Sequence, residues 1–166
     1  MILGMSTSTF TLFHVILSLV GIFAGLVVLF GMFSSKKLDG WTALFLATTV
    51  LTSVTGFFFP SDHILPSHVV GIVSLAVLAV AILARYVYRL TGAWRWIYIV
   101  GSVLALYLNV FVGVVQAFQK LSFLASLAPT QSEPPFLIAQ LIVMAIFIAL
   151  GILTVRRYHP RIDASA

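Results

Sequence analysis

SHVVGIVSLAVLAVAILARYVYRLTGAWRWIYIVGSVLALYLNVFVGVVQAFQ, residues 67–119, decides the fold. After Ser67-His68 it is apolar as far as Ala84. It breaks at the basic, aromatic stretch Arg85 to Arg95, then is apolar again to Phe118. Each run suffices to cross a hydrocarbon core of about 30 Å. The stretch reads as a membrane hairpin, two apolar segments joined by a short basic loop.

Upstream the pattern recurs. His14 opens an apolar run to Phe33, Lys36-Lys37-Leu38-Asp39-Gly40-Trp41 interrupts it, and a second run reaches Phe59. In both units a Leu-x-Gly followed closely by Trp marks the turn. The Leu stands 24 residues after His14 in one unit and 22 after His68 in the other. This similarity suggests an internal duplication, although apolar segments also resemble one another by composition.

Composition supports the membrane reading. Of 166 residues 61% are hydrophobic and 8% charged, against about 25% charged in soluble domains. A soluble fold of this size could not hide so much apolar surface. The net charge of +5 is no nucleic-acid signal, because the basic residues flank apolar spans. The absence of Cys excludes disulfides and thiolate chemistry. The first apolar run is too long for a signal-peptide core and is read as a retained helix.

The expected architecture is all-α: a single polytopic bundle of five membrane helices, two repeated hairpins plus a fifth helix. The spans are 9–33, 41–59, 67–88, 96–120 and 135–155. Ser67 is the expected N-cap of the third. Ser122 to Ala128 either extends the fourth helix or lies in the interface, and Pro135 suits the first turn of the fifth. A polar tail follows Arg156-Arg157.

Five spans put the termini on opposite sides. Eight of the nine Lys and Arg fall on one side; Lys120 alone falls opposite. The positive-inside rule then places the N-terminus outside and the C-terminus in the cytoplasm, as in a bacterial inner membrane. His14, the Thr52 to Thr55 cluster, His68, Gln116 and Gln140 all fall in the outer half, with Asn109 near the middle. Buried polar groups in hydrocarbon must be satisfied, so these are expected to face one another or water. His14, Ser18, Gly21 and Gly25 share one helix face, as do Asn109, Gly113 and Gln116. Gly21-x-x-x-Gly25 is a packing motif, read either as close helix contact or as room for a bound group beside His14.

This pattern yields the candidate sites. His14 and His68 could ligate a haem b iron axially or share a divalent metal, or sit in the interface bonded to carbonyls or headgroups. Asp62 and His63 could complete a zinc or copper set with His14 and His68, or form an ordinary solvated loop. Asn109, Gln116 and Gln140 suit hydrogen bonds to a ligand such as a quinone, or bonds between helices. No Asp, Glu, Lys or Arg is expected deep in a span, which disfavours an ion-driven transporter. No phosphate loop, nucleophile elbow or His-Glu-x-x-His motif occurs. Three functions remain: a pocket for a redox cofactor or metal ion on the outer side, an accessory subunit contacting other membrane subunits or a second copy of itself, or a passive conduit for a small solute.

Overall fold

The computed structural model describes residues 1–161. Among the described residues there are six α-helices: α1 (Thr7–Phe33), α2 (Asp39–Gly56), α3 (Pro66–Ile82), α4 (Trp94–Lys120), the short α5 (Ser122–Leu127) and α6 (Pro134–Arg157). A π-helical turn, Leu83–Val87, extends α3. Four helices are long and apolar enough to cross a membrane: α1, α3 with its π turn, α4 and α6. The chain is a helical integral membrane protein.

The count is therefore four where the sequence suggests five, and α2 makes the difference. It has 18 residues, or about 27 Å of helix, and its Thr, Ser and Asp39 dilute its apolar character. Even so, it packs antiparallel along α1. Leu38 covers Gly31, Phe45 meets the Gly25 position, Thr48 and Thr49 meet Gly21, and Thr55 meets His14. Its hydroxyls need no water there. Thr48, Thr49, Thr52, Ser53 and Thr55 each donate to a carbonyl of their own helix four residues back, at 2.7–3.0 Å. That satisfies them in an apolar bundle.

α4 lies at the centre. It packs antiparallel to α1 through Asn109 and Leu106, to α3 through Gly101 against Ala81, and to α6 through Val103 near Gly151. Several boundaries differ from expectation. α1 starts at Thr7 rather than residue 9, capped by Ser6, which accepts from the Thr9 N–H at 3.2 Å. Leu65 is the N-cap of α3 with Pro66 behind it, so Ser67 is already helical. Ser122–Leu127 is a separate helix rather than a continuation of α4. The two turn-marking leucines, Leu38 and Leu90, both adopt left-handed backbone, with φ of 44° and 60°.

Candidate functional site

One end of the bundle is hollow. A cavity of about 510 Å³ lies among α1, α2, α3 and α4, with Lys120 and Gln116 at its rim. Most of its wall is apolar, including Ile22, Phe57, Phe59, Leu108 and Val112. A volume of roughly 300–1,000 Å³, mainly apolar with a few polar groups, is typical of small-molecule sites.

His14 and His68 both line this one cavity, with Asn109 and Gln116. His14 Nδ1 lies 2.8 Å from the Thr55 hydroxyl, which also lies 2.7 Å from the Leu51 carbonyl. His68 Nδ1 accepts the Leu65 backbone N–H at 3.2 Å, so a neutral ring there carries its proton on Nε2. That Nε2 is buried without a protein partner. Phe59 meets the His14 ring edge-on and Phe57 stacks on His68, with centroids 5.2 and 5.5 Å apart.

Deeper in, Ser18 donates to Asn109 Oδ1 at 2.9 Å, tying α1 to α4 beneath the cavity. Gly21 and Gly25 do not line it. An added Cβ on Gly21 would meet Asn109, Thr48 and Thr49 at 3.2 Å, and one on Gly25 would meet Leu106 at 2.6 Å and Phe45 at 2.9 Å. The small residues serve helix contact, not room for a ligand. Gly113 lines the cavity, and a Cβ there would meet only Ile22, at an ordinary 3.8 Å.

The other sequence candidates lie elsewhere. Gln140 is buried between α6 and α4, donating to the Phe111 carbonyl at 3.2 Å, outside the cavity. Asp62 and His63 are exposed in the α2–α3 loop and do not line it. Among the described residues no three His, Cys, Asp or Glu side chains gather as a metal site, so the set His14, Asp62, His63 and His68 does not assemble. Haem ligation by the two imidazoles also fits poorly. A ligating His usually donates its other ring N–H, and His68 Nδ1 instead accepts one. Binding iron through Nε2 would break the Leu65 cap. The donor set suits neither a haem nor a metal ion.

The opposite end holds a cluster that the sequence reading missed. Arg85 is 7% exposed. It donates to the Lys37 carbonyl at 3.0 Å and the Tyr98 hydroxyl at 3.3 Å, and pairs with Asp39. The sequence places it in a loop; the π turn instead carries it inward. Arg95 donates to the carbonyls of Val155 and Tyr158 at 3.0 and 2.6 Å, closing the end of α6. Tyr158 is fully buried. Burial and the nearby Tyr98 push its phenol up to about 12, against the pull of Arg85. The only sequence signal was the cluster of Arg and Tyr around residues 85–98.

Between the two polar ends lies an apolar septum, where Phe45 and Leu106 close on Gly25 with Val28 and Leu29 buried beside them. The chain matches no protein-family model, no curated protein and no solved structure.

Proposed function

We propose that the protein binds a small, mainly apolar ring with polar substituents, of the quinone class, in the cavity beneath His14 and His68. The proposal extends to orientation: the positive-inside rule puts this end outside the membrane, as in a bacterial inner membrane, and the basic Arg85 end in the cytoplasm. The observation that carries the reading is the convergence of both imidazoles, from helices far apart in sequence, on one apolar cavity. Aromatic and aliphatic walls supply burial, and the polar side chains that line the cavity, among them Asn109 and Gln116, supply orientation. The cavity is closed from the Arg85 end by the Phe45–Leu106 septum, which supports a binding site over an open conduit.

The test is calorimetry on detergent-purified protein with a short-tailed 1,4-benzoquinone and, separately under anaerobic conditions, its quinol. Wild type is expected to bind at least one form. Gly113→Leu, which projects a side chain into the cavity, is expected to abolish binding while keeping the wild-type unfolding midpoint. No binding of either form by wild type ends the proposal.

A further inference from the structure

The end of the molecule away from the cavity carries a second hollow. A cleft of about 430 Å³ lies between the α1–α2 loop and the chain that follows α6. Ser34, Ser35, Lys37, His159 and Arg161 line it, with no apolar side chain among them. Ser35 bridges the two segments. Its hydroxyl donates to the Arg157 carbonyl at 2.9 Å and accepts the His159 N–H at 3.0 Å. Arg95 holds the same stretch from α4, through the carbonyls of Val155 and Tyr158. On the other wall the Lys37 carbonyl accepts from Arg85 at 3.0 Å. The backbone that carries Lys37 and His159 is therefore held by the protein itself.

Charge in the cleft is unbalanced. Among the described residues the single ion pair is Asp39 with Arg85, so the carboxylate nearest Lys37 in sequence is already taken. Asp62 and Glu133 lie at the opposite end, in the α2–α3 loop and at the start of α6. Lys37 and Arg161 thus line the cleft with no carboxylate partner among the described residues, and the exposed Ser34 adds a hydroxyl. Position narrows the ligand. The cleft sits where α1 ends at Phe33 and α6 at Arg157, the level at which hydrocarbon gives way to headgroups. One turn deeper, Phe30 and Leu153 are exposed, which offers apolar surface to acyl chains.

We propose that this cleft seats the phosphate headgroup of one anionic phospholipid. Two cations and a hydroxyl meet a phosphate through charge-assisted hydrogen bonds, and a basic pocket at this level of a helical bundle suits an acidic headgroup. A zwitterionic headgroup brings its own ammonium against Lys37 and Arg161 and loses part of that attraction.

The experiment titrates the full-length protein, in a neutral detergent, with phosphatidylglycerol and with phosphatidylcholine of the same chains, and counts retained lipid by native mass spectrometry. Wild type is expected to retain one phosphatidylglycerol about tenfold more tightly than phosphatidylcholine. Lys37→Gln with Arg161→Gln is expected to erase that preference. Lys36→Gln with Arg156→Gln removes as much charge from exposed positions outside the cleft, and is expected to keep it. Equal retention of the two lipids by wild type overturns the proposal. So does an equal loss in the two double variants, which would mean diffuse attraction to the whole basic end. Displacement of the lipid by an equal concentration of inorganic phosphate also overturns it, by making the occupant a soluble anion. Unfolding midpoints show whether the variants fold. If the cleft double variant does not, Lys37→Gln and Arg161→Gln are compared singly with Lys36→Gln, with a partial loss expected for each of the first two and none for the third.

Discussion

Gly25 shows how tightly single positions are set. A methyl group there would lie 2.6 Å from Leu106 and 2.9 Å from Phe45, and both neighbours are buried. Overpacking of this kind costs about 1–3 kcal/mol. Gly25→Ala is therefore expected to lower stability by that amount, measured by denaturant titration in detergent, whereas Gly113→Ala, 3.8 Å from its nearest neighbour, is expected to be close to neutral. Tyr158 gives a pH signature. Its phenol stands above the ordinary value near 10, at about 12, so the folded state favours the neutral form. That contribution is complete below about 10 and is lost as pH climbs toward about 12. Tyr158→Phe is expected to remove this part of the alkaline loss of stability. An unfolding midpoint that falls equally steeply in the variant across that window would show the phenol to be uninvolved.

At the scale of elements, α2 and the end of α6 carry the less obvious physics. Apart from Thr55, which also bonds His14, the α2 hydroxyls turn back onto their own helix, so replacing Thr48 with its isosteric methyl analogue breaks no hydrogen bond between helices. Thr48→Val is expected to change stability by less than about 1 kcal/mol, since both the donor and the need for it are altered locally. Arg95 is different. It meets two carbonyls at the end of α6 that no further helical turn can satisfy. Arg95→Ala is expected to cost about 1 kcal/mol or somewhat more. It should also raise amide hydrogen exchange selectively in the last turn of α6, with α1 to α3 unchanged. Helix locations and the hairpin pairing were legible because apolar runs and basic breaks are large signals. The π turn was not, because Leu83–Val87 differs from ordinary helix only in how its hydrogen bonds shift by one residue. That shift turned Arg85 from a loop residue into a buried one.

At the scale of the molecule, two polar ends are separated by an apolar septum, and the basic residues crowd the end away from the cavity. The orientation proposed from that asymmetry is testable because the chain contains no cysteine. A membrane-impermeant maleimide applied to intact cells is expected to label Ser61→Cys, in the α2–α3 loop, and to spare Ser34→Cys, at the opposite end. The reverse pattern would invert the topology and place the cavity on the cytoplasmic side. The convergence of His14, His68, Asn109 and Gln116 at one end was readable, because helical periodicity and span polarity fix face and depth. For Gln140 the structure follows the other alternative, a bond between helices, because depth alone does not say which neighbour a residue faces and this one meets the Phe111 carbonyl of α4.

By itself the sequence determined the class, the membrane environment, the antiparallel pairing of neighbouring spans and the end at which polar side chains gather. These follow from hydrophobic length and period, which act locally along the chain. Only the tertiary structure decided that Gly21 and Gly25 serve packing, that Asp62 and His63 stand outside the cavity, that Arg85 is buried, and which partner each of His14 and His68 bonds. Those outcomes depend on partners far apart in sequence, such as Thr55 for His14 and Asp39 for Arg85. A hydrogen bond's direction is set only when both of its partners, and their other commitments, are in place.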